Sequence, residues 1–223
     1  MGCGLSDKPQ KYEYTLANHI ENITKLLEHL KISRTSMVAH DWGGAIGMGV
    51  ATGSSRVIEK IVVLNSAAFR STRIPFRIRI CRWPIIGKFI VKGLNGFAHP
   101  ATFMAVEKKL DKRTAQAYLL PYDSWQNRIA IYEFVKDIPL DERHRSYRTL
   151  VSIEQKLETL STESTPILIV WGGKDFCFND HFFKEWLRRF PNCQSHYLEN
   201  GGHYLLEDEK EHVEPLIEAF LKS

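Results

Sequence analysis

Three stretches of the chain place an ionisable side chain just past an apolar run. Asp41 follows Met37-Val38-Ala39-His40, Asp175 follows Pro166–Trp171 and a Gly-Gly-Lys turn, and His203 follows Ser195–Leu198 and Glu199-Asn200-Gly201-Gly202. Singly, each has an ordinary structural explanation. Asp41 could cap the helix that follows, Asp175 could be a turn residue, and His203 could flank a helix after its glycines. Together they run nucleophile, acid, histidine, in the order of a triad built at the carboxyl ends of parallel strands. Ala39, Gly43 and Gly44 surround Asp41 in the small-x-nucleophile-x-small-small spacing of a nucleophile elbow, with Asp where other elbows carry Ser. Small neighbours suit a strained turn with helix and strand packed closely against it.

The acid decides the chemistry. A carboxylate with a reference pKa of about 3.9 is ionised at neutral pH and attacks without a base. His203 is then free to draw a proton from the water that opens the resulting enzyme ester. Asp175 would hold the imidazole in one tautomer and stabilise its cation, and the backbone N–H of Trp42 is placed to bind an oxyanion. Such an ester forms from an sp³ carbon bearing a leaving group: a haloalkane, an epoxide or a strained lactone.

Positioning these groups requires alternating elements. Leu16, Ile20, Ile23, Leu27 and Leu30 recur at helical spacing, with Thr15 placed to cap. Met37–Ala39 reads as the elbow strand, residues 43–52 as a Gly/Ala-rich helix, and Ile61–Leu64 as a fully apolar strand of a parallel sheet. Strand Pro166–Trp171, helix His181–Phe190, strand Ser195–Leu198 and a last helix carrying Val213, Leu216, Ile217 and Phe220 resume the alternation later. The order predicts an α/β fold, a parallel doubly wound sheet with helices on both faces. Between them, residues 67–159 are irregular, mostly helical and punctuated by Pro75, Pro84, Pro100, Pro121 and Pro139, too long for a connection. The expected organisation is a core of 1–66 and 160–223 with an inserted helical cap of 67–159.

Composition bounds the alternatives. A chain of 223 residues supports one well-buried domain, and 43% apolar with 25% charged residues is ordinary for a globular protein. Cys3, Cys81, Cys177 and Cys193 lie far apart without a CxxC, so neither a disulfide framework nor a zinc site is indicated, and a reducing cytoplasm fits. No apolar run is long enough for a membrane span, no signal-peptide pattern is present, and the net charge of +4 gives no footing for a nucleic-acid partner. The charge is unevenly spread: Arg70, Arg73, Arg77, Arg79, Arg82, Lys88 and Lys92 occur with no acid among them, interleaved with Ile74, Phe76, Ile78, Ile80, Trp83, Ile85 and Ile86. One reading is a surface that meets a membrane or an acidic partner. The other, preferred on the sequence, is a helical segment whose apolar face is core and whose arginines are solvated. Met1-Gly2-Cys3-Gly4-Leu5-Ser6 satisfies a myristoylation pattern but reads better as a loop leaving a strand.

His40-Asp41-Trp42-Gly43-Gly44 resembles the elbow of the haloalkane dehalogenase and epoxide hydrolase branch of the α/β-hydrolases. Trp42 is similar to the tryptophan whose indole N–H binds the leaving halide in dehalogenases. Further stretches resemble the β-lactone decarboxylases of bacterial olefin biosynthesis: 63–69, 121–125, 128–130, 137–140, 171–176 and 202–208. Asn65 stands where some dehalogenases carry their triad acid, which supports Asp175 in that role. The resemblance implies an α/β-hydrolase fold and a small hydrophobic substrate, a cis-β-lactone opened with loss of carbon dioxide to a cis-alkene. Alternatively the substrate is a haloalkane, then an epoxide, which would need two of the cap tyrosines Tyr118, Tyr122, Tyr132 and Tyr147. It implies no metal or organic cofactor and a possible complex with other enzymes of olefin biosynthesis. It places His40, Phe69, Tyr122, Trp125 and Phe176 at the substrate pocket, although the aromatic residues could equally be cap core. The chain also departs from the family. Its opening residues resemble the loop after the fold's fourth strand, so only later strands are expected, with the elbow strand at a sheet edge. The turn supplying a second oxyanion N–H has no counterpart. The expectation is a fragment, inactive if the missing strands are essential, or a domain completed by a second chain.

Overall fold

The first helix begins where the sequence puts its cap: the Thr15 side chain accepts the Asn18 N–H, and α1 spans Leu16–His29. This is a computed structural model, which describes residues 1–53, 57–162 and 165–223; residues 54–56 and 163–164, within the ranges read as core, lie outside the described residues. After α1 come β1 (Arg34–Asp41), α2 (Trp42–Gly53) and β2 (Val57–Ser66). The helical stretch then contains α3 (Phe76–Cys81), α4 (Ile86–Lys88), α5 (Ala98–Met104), α6 (Lys112–Leu119), α7 (Ile129–Lys136) and α8 (Tyr147–Thr162). The chain closes with β3 (Ile167–Gly172), α9 (Asp180–Arg189), β4 (Gln194–Leu198), α10 (Leu205–Asp208) and α11 (Lys210–Lys222).

The four strands described form one parallel sheet in the order β1-β2-β3-β4. Because all run the same way, Asp41, Ser66, Gly172 and Leu198 end at one edge, which is where the turns carrying Asp175 and His203 leave. Successive residues of β2 and β3 face opposite layers, as strand geometry dictates. Ile61, Val63, Ile167 and Ile169 pack with Leu16, Met48, Leu157 and Trp186, while Val62, Leu64, Leu168 and Val170 pack with Val213 and Phe220 of α11. β1 is an edge strand, and α11 packs over β3 rather than β1, so Val38 is left 47% exposed although its partner Val62 is fully buried.

Packing and a buried carboxylate both tie the helical stretch to the sheet layer. α8 lies against α2 and sends Leu150, Ile153, Leu157 and Leu160 into the main core. The buried Asp137 carboxylate, just after α7, accepts the Leu16 N–H at 2.8 Å, the Ser146 hydroxyl at 2.6 Å and the Arg145 guanidinium at 2.8 Å, fastening this stretch to the start of α1. The basic segment differs from the reading preferred on the sequence. Its apolar residues face both ways: Cys81 and Val91 are buried with Tyr132 and Val135, while Phe76, Trp83, Ile85, Ile86 and Phe89 are exposed. Among the described residues no helix is long and apolar enough to cross a membrane.

Among the glycines of the described residues, the closest approach is that of α2 to β2. A Cβ on Gly44 would stand 1.8 Å from Ser66 Oγ, whereas one on Gly43 would meet nothing within 4 Å. Of the two glycines of the elbow pattern, only the second is demanded by packing. Gly44→Ala is therefore expected to cost about 1–3 kcal/mol through overpacking, lowering the thermal midpoint by about 2–4 °C per kcal/mol. Gly43→Ala should stay within about 0.5 kcal/mol of the parent; differential scanning calorimetry of the pair separates the two.

Candidate active site

β1 ends in a conformation that side chains avoid. Asp41 has φ of +51°, in the left-handed region that is uncommon outside glycine and clusters at functional sites. The turn is held from below, where the Ser66 hydroxyl donates to the Asp41 carbonyl. The β1–β2 register also shifts here: His40 pairs with Leu64 but Asp41 with Ser66, so Asn65 drops out of the ladder. Trp42 opens α2, and a first-turn N–H has no acceptor within its own helix.

Asn65 turns instead to β3. Its side-chain amide donates to the Gly172 carbonyl at 3.0 Å and accepts the Gly172 N–H at 2.7 Å, so its polar atoms are committed away from His203. The carboxylate on the histidine is Asp175. It is buried, accepts the Cys177 and Phe178 N–H groups on one oxygen at 2.6 and 3.1 Å, and accepts His203 Nδ1–H on the other at 2.8 Å. That bond leaves Nε2 as the free ring nitrogen of His203. The two turns approach so closely that a Cβ on Gly172 would meet the carbonyl oxygens of Gly201 and Gly202 at 2.6 and 2.7 Å. Gly173 and Lys174 N–H groups donate to Leu198 and Gly201 carbonyls, both at 2.9 Å, completing the joint.

A second buried carboxylate fixes the histidine loop from the other side. Asp208 accepts the N–H groups of Gly202 at 2.8 Å, Glu107 at 2.9 Å and Lys108 at 2.8 Å, and Tyr204 N–H donates to the Ala105 carbonyl at 2.7 Å. The loop bearing His203 is thus clamped to the turn after α5. Sequence reasoning overlooked Asp208; its only signal is an acidic residue five places after His203, which is also common on exposed helices.

Burial opposes charging His203, but the Asp175 hydrogen bond and the charges of Asp175 and Asp41 together raise its pKa above the ordinary histidine value. His40 is pushed the other way, by burial and by His203 beside it. Its Nε2–H donates to the His203 carbonyl at 2.9 Å and the rings lie 4.7 Å apart, so His40 props His203 from behind.

Asp41, Trp42 and His203 share the wall of one cavity of about 640 Å³. Of the residues expected at the pocket, Phe69, Tyr122 and Phe176 line it; His40 and Trp125 do not. Trp125 lies outside, 39% exposed, under the Lys92 ammonium at 5.1 Å, because the turn after α6 points it away. Cys3, Cys81, Cys177, Phe178 and Tyr204 line it without having been singled out. Cys177 and Tyr204 adjoin residues that were, but Cys3 and Cys81 arrive through tertiary packing alone. The Met1–Ser6 loop folds back, Gly2 N–H to Asp7 carbonyl, and Gly4 N–H donates to the Tyr122 hydroxyl at 3.0 Å.

Asp175, Cys177 and His203 offer donor atoms within 4.8 Å of one another, spacing that could hold a metal ion. Their chemistry argues otherwise: both Asp175 oxygens already accept hydrogen bonds, one of them from His203 Nδ1. Burial and the Asp175 charge also raise the Cys177 pKa, keeping the thiol protonated. Of the tyrosines considered for an epoxide, Tyr118 donates to Glu207 at 2.7 Å and Tyr132 to the Pro84 carbonyl at 3.0 Å, leaving only Tyr122 on the cavity wall with an uncommitted proton.

Comparison with known proteins agrees with this architecture. The model of the alpha/beta hydrolase family matches residues 1–216. A cis-3-alkyl-4-alkyloxetan-2-one decarboxylase of Shewanella oneidensis is 38% identical over 99% of the chain and 71% of its own length. One from Xanthomonas campestris pv. campestris is 33% identical over 100% and 77%. Among solved structures, a mutant of the haloalkane dehalogenase DatA from Agrobacterium tumefaciens C58 superposes with a TM-score of 0.88 at 23% identity, covering 100% of this chain and 78% of its own.

Two outcomes test the geometry. In a histidine-resolved NMR titration His203 should titrate above about 6.5, and in Asp175→Asn lower than in the parent, since burial is then opposed by the Asp41 charge without the hydrogen bond and charge of Asp175; an unchanged value would break the link. Asp208→Asn turns an amide NH₂ toward backbone donors and should cost about 1–3 kcal/mol, read as a lower thermal midpoint together with reduced turnover.

Proposed function

The chain belongs to the alpha/beta hydrolase family, and from that premise we propose that it uses Asp41 as a nucleophile, with His203 and Asp175 as its partners, to open a cis-3,4-dialkyl-β-lactone with loss of carbon dioxide. One observation carries the reading: the strained Asp41 carboxylate and the free face of an Asp175-bound histidine share the wall of a single cavity. The cavity is lined largely by apolar and aromatic side chains, as a dialkyl substrate requires. The printed substrate class of the relatives at 38% and 33% identity supports the lactone. The cap in this reading is the helical segment 67–159, whose last helix α8 also packs in the main core.

The steps balance without an added reagent. An Asp41 carboxylate oxygen attacks the sp³ ring carbon that carries an alkyl chain and the ring oxygen, from the face opposite that oxygen. The carbon–oxygen bond breaks, leaving an alkyl ester on Asp41 and a free carboxylate on the neighbouring carbon. That carboxylate departs as carbon dioxide, its bonding pair forms the alkene, and the ester carbon–oxygen bond breaks to return Asp41 as carboxylate. Inversion in the first step followed by anti-elimination in the second carries a cis-lactone to a cis-alkene. A cationic His203, favoured by Asp175 and Asp41, lowers the energy of the departing Asp41 carboxylate. Asp175 orients the ring and balances its charge. Trp42 contributes its helix-opening N–H to the oxygen of Asp41 that gathers charge.

The second reading, hydrolytic release of halide, is favoured by one feature. The Trp42 side chain lines the cavity, and its indole N–H donates to none of the described residues. In that reaction neutral His203 activates water against the ester, so the rate would rise with pH through the raised pKa of His203.

Product analysis separates the two. With a cis-dialkyl-β-lactone in ¹⁸O-labelled water, cis-alkene and unlabelled carbon dioxide should form at first release, with turnover reduced at least 10³-fold in Asp41→Asn, a loss typical of removing a nucleophile. A hydroxy acid or an ¹⁸O-containing alcohol as the product, or halide released from bromoalkanes in preference to any reaction of the lactone, would replace the decarboxylase reading.

A further inference from the structure

The basic segment 70–92 is not absorbed by the chemistry above, and its two sides have different surroundings. Inward, Ile74, Ile78 and Cys81 line the cavity, and Cys81 and Val91 pack against Tyr132 and Val135. Outward, Phe76 is 72% exposed, Ile85 83% and Phe89 57%, with Trp83 and Ile86 beside them. Single exposed apolar residues are ordinary; five large ones within fourteen positions of one segment are not. α4 runs directly into a wider helical turn over Phe89–Gly93, so Ile86 and Phe89 fall three residues apart on one exposed face.

The charges around this face are uncompensated. Arg70 is paired with Glu154, and Lys92 is buried against Trp125. Among the described residues, none of Arg73, Arg77, Arg79 and Lys88 lies within salt-bridge distance of a carboxylate, and the segment itself contains no acid. Arg73 and Arg77 are exposed and also line the cavity, so the cavity reaches the surface on this side. Arg77 stands over the Phe176 ring at 5.0 Å, next to Asp175.

We propose that this face of the cap, Arg73 to Phe89, seats on an anionic lipid surface, with Phe76, Ile85, Ile86 and Phe89 entering the headgroup boundary and Arg73, Arg77, Arg79 and Lys88 meeting lipid phosphates. Exposed aromatic and branched apolar side chains flanked by unpaired cations match the interfacial pattern of monotopic proteins, where apolar burial and electrostatic attraction add. An acidic protein would satisfy the cations but not the protruding isoleucines. The opening between Arg73 and Arg77 then faces the lipid, from which an apolar molecule enters without crossing water. The docking itself does not depend on which reaction the site performs.

The test is co-sedimentation of the full chain with vesicles of phosphatidylcholine, with and without phosphatidylglycerol, at low and high salt. The parent protein should bind the phosphatidylglycerol vesicles, weaken as salt rises, and bind pure phosphatidylcholine at least tenfold less. Arg79→Glu combined with Lys88→Glu, both away from the cavity, should weaken binding by well over tenfold, at about fivefold per basic group lost near an anionic surface. Ile85→Asp should weaken it at both salt levels. In both variants turnover of a short, water-soluble substrate should equal that of the parent, with unchanged thermal midpoints as the folding control. Equal binding to both vesicle types, no binding at all, or full binding by the double charge reversal would overturn the proposal. Retention on immobilised polyglutamate without vesicle binding would do so too, by assigning the face to an acidic protein.

Discussion

The close packing of α2 on β2 is the constraint from which the site follows. Gly44 lets the helix lie so near Ser66 that no Cβ fits, and Ser66 in turn holds the Asp41 carbonyl. With the backbone held on both sides, Asp41 keeps a φ of +51°, a conformation a free aspartate would leave. The strain is sustained by the surrounding core rather than by local preference. It points a carboxylate out of the end of a strand, where a relaxed turn would lay it against its own helix as a cap.

The rest of the site is a set of hydrogen bonds that converge on one ring. Asp175 fixes Nδ1 of His203, Asn65 locks the end of β2 to the end of β3, and Asp208 ties the histidine loop to the turn after α5. Each of these carboxylates and amides is buried and spends its oxygens on donors, which is the condition under which buried polar groups add rigidity instead of instability. The arrangement joins the parallel sheet to the helical stretch at the histidine itself.

Much of this was legible in the sequence because the signals are local. Thr15 caps where the periodicity starts, the apolar runs become parallel strands, Asp41 ends β1, and Asp175 and His203 follow the ends of β3 and β4. What was missed is tertiary. Asp208 and Asp137 act on backbone groups roughly a hundred residues away, which no spacing rule encodes. His40 lies beside Asp41 in sequence yet turns behind the histidine, since alternate strand residues face opposite sides. Trp125 has the right type for a pocket wall but sits on a turn facing outward. In the basic segment the apolar residues are too evenly interleaved for periodicity to say which side is core, and the structure divides them between both.

The central claim is that the Asp41 carboxylate forms a covalent ester inside this cavity. Intact-mass measurement and peptide mapping of His203→Ala, incubated separately with a cis-dialkyl-β-lactone and a bromoalkane, test it most directly. Without His203 the ester should outlast its formation, adding the lactone mass, or the alkyl group less bromide, to the peptide bearing Asp41. The adduct should vanish in His203→Ala with Asp41→Asn. An adduct mapped instead to Cys3, Cys81 or Cys177 on the cavity wall, or none with either reagent, would contradict the account.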